Sequence, residues 1–188
     1  KPFDNNRKGL NLGEGAAYIV LENEKSLSIT KNKKVVSILG WGNANDAYHQ
    51  TASSPNGEGA QKSMQLALEE ADLKPEELDY INAHGTATVN NDLFEGRAIE
   101  TLFGKNQLFS STKGYTGHTL AAAGVNECIY SILSIKNNTV FPTLNHNTLM
   151  PELKVKPVIN IKKDITINTV LTNSFGFGGN HATIIIGK

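Results

Sequence analysis

Two histidines in this chain stand in short runs of glycine and hydroxyl residues. They are His84-Gly85-Thr86-Ala87-Thr88 and Ser111-Thr112-Lys113-Gly114-Tyr115-Thr116-Gly117-His118. An imidazole titrates near neutrality, so either can donate or accept a proton. The hydroxyls of Thr86 and Thr88, two residues apart, can hydrogen-bond an extended polar ligand. Glu127 follows His118 within an apolar stretch, and a carboxylate so placed needs a partner, for which Lys113 is the nearest candidate in sequence. A third cluster, Phe175-Gly176-Phe177-Gly178-Gly179-Asn180, can bring backbone close to a ligand and expose amide donors, the parts of an oxyanion hole. A phosphate-loop reading of it is weak, because a strand rather than a helix follows and the spacing is not GxGxxG. The fourth cluster, Asp46-Ala47-Tyr48-His49-Gln50-Thr51, reads by itself as a polar loop.

These clusters fall at the ends of predicted strands or the starts of predicted helices, where an open α/β sheet places its ligands. Alternation and β-branched content predict strands over 16–21, 35–39, 78–83, 107–110, 169–174 and 182–186. Helical spacing of Ala60, Met64, Ala67, Leu68 and Ala71 predicts an amphipathic helix over 58–71. Asp92 and Glu95, three apart, suggest a capping-box start for a helix running through Phe103. Apolar residues almost all round 118–135 predict a buried helix, with His118 at its N-terminus, where the dipole disfavours protonation. The charged stretch 22–34 reads as a loop with a helical turn. Strands alternating with helices argue for a mostly parallel α/β sheet ending in an antiparallel pair.

Bulk properties exclude several classes. With 188 residues the chain is long enough for one well-buried domain, and 18 basic against 18 acidic residues leave no global field for nucleic acid or an anionic membrane. No apolar run is long enough to span a bilayer. The single cysteine, Cys128, excludes an internal disulfide and a Cys-rich zinc site and fits a reducing, cytoplasmic setting. It lies among apolar residues and reads as packing, not as a nucleophile. The five histidines, at 49, 84, 118, 146 and 181, show no metal-ligand spacing. The chain opens on Lys1-Pro2-Phe3-Asp4 without a signal peptide and reads as cut from a longer protein.

Taken in series, KPFDNNRKGLNLGEGAAYIVLE, DAYHQT, INAHGTATVNND, SSTKGYTGHTLAAAG and NSFGFGGN resemble the β-ketoacyl synthases, the condensing enzymes of fatty-acid and polyketide synthesis. The resemblance covers the whole chain. It implies the C-terminal half of a thiolase-like α/β fold, a mixed five-stranded sheet with helices on both faces. Residues 1–27 would end the N-terminal half, and 28–188 would form the C-terminal domain.

The same resemblance implies roles. His84 and His118 match the histidine pair that promotes decarboxylation of the malonyl thioester and stabilises the enolate. Lys113 matches the active-site lysine and Glu127 the buried glutamate that interacts with it. Asp92 joins Glu127 as structural support. Thr86 and Thr88 match the threonines on the phosphopantetheine arm, while His49 and Thr51 match a loop lining its tunnel, with Gly176 and Gly178 beside it. Phe177 matches the gating phenylalanine, whose amide forms half the oxyanion hole. No resident cofactor or metal is implied, because phosphopantetheine arrives on the acyl carrier protein. The implied partners are that carrier protein, the N-terminal half and a second copy in a homodimer. The family's nucleophilic cysteine belongs to the N-terminal half, so this chain by itself is expected to be inactive. The competing reading is a non-catalytic chain-length partner subunit of a synthase heterodimer. Departures from the family pattern are Ala121, where glycine is usual, and GGNH, where GGTN is common.

Overall fold

A computed structural model describes residues 1–31 and 36–188. Its elements run α1 (Glu24–Thr30), β1 (Ser37–Asn45), α2 (Glu58–Glu70), β2 (Tyr80–Asn82), α3 (Val89–Phe103), β3 (Phe109–Ser110), α4 (Lys113–Thr116), α5 (Ala123–Asn137), β4 (Thr169–Gly176) and β5 (Asn180–Gly187). The five strands form one mixed sheet in the order β1-β5-β4-β2-β3. β2 pairs in parallel with β3 and β4, whereas β4–β5 and β5–β1 are antiparallel. The expectation of a mostly parallel sheet therefore gives way to an even split, because β1 joins the outer edge of the β4–β5 hairpin instead of the parallel strands.

Alternation along the strands builds two cores. Leu171 and Ile185 face α2 and α3, packing with Met64, Ala67, Phe94, Ile99 and Phe3. Their neighbours Val170 and Ile186 face the other side, with Tyr80, Ile135 and Val140. Period-two side-chain direction is what lets one strand serve both. α2 lies so close on β1 that a Cβ at Gly42 would sit 2.1 Å from the Ser63 carbonyl oxygen, and one at Gly40 would sit 2.3 Å from that of Ala67. Residues 1–13 pack against this body: Phe3 is buried edge-to-face on Phe109, at 4.9 Å between ring centres.

Four sequence expectations need correction. The apolar run 16–21 pairs with no strand among the described residues and lies open, with Tyr18 91 % and Val20 85 % exposed. The helix expected over 118–135 is broken into α4, a 3₁₀ turn (Leu120–Ala122) and α5. Gly117 at φ 70° and Leu120 at φ 54° turn the chain between them, so His118 precedes α5 instead of opening it. The buried face of α5 also carries polar Glu127, Ser131 and Ser134, while Leu133 is half exposed. Finally, α3 is capped by the Thr88 hydroxyl accepting from the Asn91 amide at 3.3 Å, not by an Asp92–Glu95 box. The strand expected over 35–39 begins, within the described residues, at Ser37 and extends to Asn45; its first residue, Val35, and positions 32–34 of the loop lie outside them.

Candidate active site

The site grows from the loop after β2. His84 is buried, and its main-chain amide donates to Glu95 Oε1 while that of Gly85 donates to Oε2, both at 2.8 Å. Asn173 Nδ2 and Asn91 Nδ2 complete the same carboxylate, at 3.0 and 3.2 Å. Asp92 works alongside it, accepting from the amides of Phe3 (2.6 Å) and Ala87 (3.1 Å). These bonds hold Ala87 at φ 67°, a left-handed conformation unusual for alanine. Burial raises both carboxyls, Asp92 to about 6. Sequence spacing had pointed to Glu95 only as a cap. Its role as the anchor of the His84 loop required the fold, since the acceptor and its amide donors come from different elements.

Lys113 spends all three of its N–H donors inward. Nζ donates to the His84 carbonyl at 2.6 Å, to His84 Nδ1 at 3.2 Å and to Glu127 Oε1. The lysine–glutamate partnership suggested by sequence is thus formed, with both side chains buried. Burial pushes the Glu127 carboxyl up to about 7 against the opposing pull of Lys113. An ammonium cannot accept, so His84 Nδ1 must, and the ring's proton resides on Nε2. Burial first, then the Lys113 charge, holds His84 well below the ordinary histidine range.

His118 is held differently. Its amide donates to the Asn11 carbonyl at 2.8 Å and its carbonyl accepts from Gly13 at 3.0 Å, so residues 11–13 lie as a short parallel bridge beside it. A Cβ on Gly13 would meet the Thr116 carbonyl oxygen at 1.9 Å, which explains that glycine. The left-handed turn at Leu120 aims its amide at His118 Nδ1, 3.1 Å away. A main-chain N–H only donates, so here too the ring's proton is on Nε2. Burial and then Lys113 lower the His118 pKa; the helix-dipole cause expected from sequence does not apply, because α5 starts five residues later.

The two rings meet edge-to-face at 5.2 Å and both line one cavity of about 480 Å³. Its walls include Thr51, Thr86, Thr88, Gly176 and Phe177. Thr86 and Thr88 share a hydroxyl–hydroxyl bond of 2.9 Å. A Cβ on Gly176 would meet none of the described residues within 4 Å, so this part of the cavity wall faces open space. Phe177 is 76 % exposed at the tip of a tight hairpin whose next residues, Gly178 (φ 80°) and Gly179 (φ 73°), both need left-handed backbone. Two expected contacts are not brought in. The Gly178 amide is taken by the Gln50 carbonyl at 2.8 Å, and exposed His49 uses Nδ1 to accept from the Thr51 amide at 3.1 Å. Cys128 is buried, and burial pushes its thiol up, away from nucleophilic use. Among the described residues no group of His, Cys, Asp or Glu is arranged to hold a metal ion, and no helix is long and apolar enough to cross a membrane.

Chemically, this is a pair of Nε2–H donors with both Nδ1 atoms already occupied, facing one cavity beside a glycine hairpin. Such a pair suits an oxygen on which negative charge develops. The "Beta-ketoacyl synthase, C-terminal domain" family profile matches residues 35–147. The chain belongs to the β-ketoacyl synthase family. Across its full length it is 41% identical to 3-oxoacyl-[acyl-carrier-protein] synthase 2 of Staphylococcus aureus (strain COL), of which it covers 46%. It superposes on a β-ketoacyl synthase from Burkholderia phymatum STM815 with a TM-score of 0.95 at 35% identity, covering 100% of this chain and 46% of that one. A second ketosynthase, from a type II polyketide system and solved with its acyl-carrier protein while bound to the hexaketide, matches with a TM-score of 0.92 at 31% identity, over 99% of this chain and 46% of its own. The chain thus spans about half the length of the curated relatives it matches, and its thiolase-like sheet corresponds to their C-terminal part.

Proposed function

We propose that this chain supplies the decarboxylating half of a 3-oxoacyl-[acyl-carrier-protein] synthase active site in fatty-acid or polyketide synthesis. The observation that carries this is the pair of Nε2–H groups of His84 and His118 on one cavity, each with Nδ1 engaged by a donor. A malonyl thioester in that cavity would place its carbonyl oxygen on the two donors. The bond to the carboxylate breaks, CO₂ leaves, and the electron pair moves onto the thioester oxygen as an enolate. The enolate carbon then attacks an acyl thioester, forming the new carbon–carbon bond and releasing a cysteine thiolate. That cysteine would come from the half of the relatives that this chain does not cover, because Cys128 is buried packing here. The 188 residues alone are therefore expected to yield no ketoacyl product.

Lys113 fixes the tautomer of His84, and Glu127 accepts from Lys113 and holds its Nζ in place. Thr86, Thr88, Thr51 and Gly176 would hold the pantetheine arm of an acyl carrier protein, and the Phe177 amide would serve the oxyanion of the second addition. The reaction uses no resident cofactor in this reading, and the whole protein acts in the cytoplasm as a homodimer. Residues 1–27 would close the N-terminal half and 28–188 form the C-terminal domain. Retention of His84, His118 and Lys113 together argues against a non-catalytic partner subunit.

The test is H84A and H118A in the full-length protein, assayed for malonyl decarboxylation and condensation. Loss of an oxyanion donor lowers kcat by on the order of 10²–10³, and each variant is expected to show this. Near-normal turnover in both would overturn the reading.

A further inference from the structure

His181, on β5, takes no part in the chemistry above, yet its side chain is completely enclosed. Its Nε2 lies 3.1 Å from Asp46 Oδ2. A carboxylate only accepts, so Nε2 carries a ring proton, and Nδ1 is buried with no hydrogen-bond partner among the described residues. Two glycines make room for this pair. A Cβ on Gly59, in the first turn of α2, would sit 2.5 Å from His181 Cδ2, and one on Gly179 would sit 2.2 Å from Asp46 Oδ1. A helical glycine is destabilising by about 1 kcal/mol relative to alanine, so Gly59 is a local disadvantage that the imidazole requires.

Asp46 is where the pair connects to the cavity. Its Oδ1 accepts from the Tyr48 amide at 3.1 Å and its Oδ2 from the Ser54 amide at 3.0 Å, tying down both ends of the loop between them. That loop carries Thr51, Ala52 and Ser53, which form the cavity wall. The Asp46 amide donates to the Gly179 carbonyl at 3.1 Å, joining the loop to the hairpin that carries Phe177. The His181 ring itself stacks edge-on against Phe175 at 4.7 Å, and Phe175 lies 5.7 Å from His84.

We propose that His181 is a positioning residue, whose Nε2–H bond to Asp46 holds the 48–54 loop at the distance from Phe177 that grips the incoming thioester arm. It touches neither the reacting atoms nor the arm. Losing it loosens the wall and weakens the hold on the thioester, while His84 and His118 keep their own anchors. The substrate class named here rests on the function proposed above; the loop-ordering role does not.

The experiment compares H181Q, which can return a donor near the Nε2 position, with H181F, which keeps a ring and removes the donor. H181L replaces H181F should the larger ring not be accommodated. In the full-length protein, hydrogen–deuterium exchange of peptides covering 46–54 is expected to quicken about tenfold in H181F, as for loss of one buried hydrogen bond, with H181Q close to wild type. The KM for the malonyl thioester is expected to rise about fivefold in H181F with kcat within about twofold, the pattern of lost binding rather than lost chemistry, and to return in H181Q. Unchanged exchange in H181F would overturn the proposal. So would H181Q loosening the loop as much as H181F, or a fall in kcat at constant KM. A wild-type protein without condensing activity would instead refute the proposed function, and the exchange comparison would still decide the role of His181.

Discussion

At the scale of single residues, the site depends on which nitrogen of each histidine is left to donate. Lys113 settles this for His84 and the Leu120 amide settles it for His118. Both imidazoles are lowered, by burial first and then by Lys113, so neither gains a second proton near neutrality. The acid limb of the condensation profile is therefore expected below pH 6.5, the ordinary value. A kcat/KM profile falling with a midpoint above 6.5 would contradict that. Glu127 provides a separate reading of the same cluster. Its folded-state pKa of about 7 lies above the ordinary 4.5. Its contribution to stability is therefore fully present below about pH 4.5 and lost as pH rises through 7. The stability of wild type minus that of E127Q should accordingly fall between pH 4.5 and pH 8, as read by urea denaturation at each pH. A difference that stays flat or grows would show that the Lys113 ion pair outweighs burial.

Elements place these residues through close backbone approaches that glycine permits. Gly42 and Gly176 look alike in sequence, yet a Cβ on the first would lie 2.1 Å from the Ser63 carbonyl oxygen and one on the second would meet none of the described residues within 4 Å. G42A is expected to destabilise by about 1–3 kcal/mol, the usual cost of forcing atoms into a packed contact. G176A should leave the denaturation midpoint unchanged. Equal midpoints for the two variants would mean that α2 can lift from β1 without loss. The elements also show where sequence patterns misled. Apolar residues from Leu120 to Ile135 read as one continuous helix, because periodicity does not register a left-handed turn at a leucine. The strand expected over 16–21 has the right composition but no ladder to join among the described residues, and backbone hydrogen bonds are a property of pairs.

The whole molecule pairs a well-filled two-sided core with a large apolar exposure on residues 10–21, including Leu12 at 67 % and Leu21 at 72 %. Large apolar side chains exposed together along one segment point to a surface that another body covers. In relatives of about twice this length, the other half is available to do so. The 188 residues alone should bind an apolar-surface dye strongly and self-associate on gel filtration. The full-length protein should bind little dye and elute as a defined homodimer. A clean, dye-silent monomer of the short chain would contradict this.

The five motifs, their order and the residue types at His84, His118, Lys113, Glu127 and the glycine hairpin were legible in the sequence, because local chemistry and chain spacing suffice to define them. So were α2, β2 and the hairpin strands, whose periodicity is strong. Tertiary structure alone decided which atoms meet. Glu95 reaches the His84 loop from α3, Gly13 lies under His118 from a segment more than a hundred residues earlier, and His181 on β5 finds Asp46 at the end of the neighbouring β1. None of these is visible along the chain, because a hydrogen bond between distant residues depends on how elements pack, and nothing in the local pattern encodes the partner.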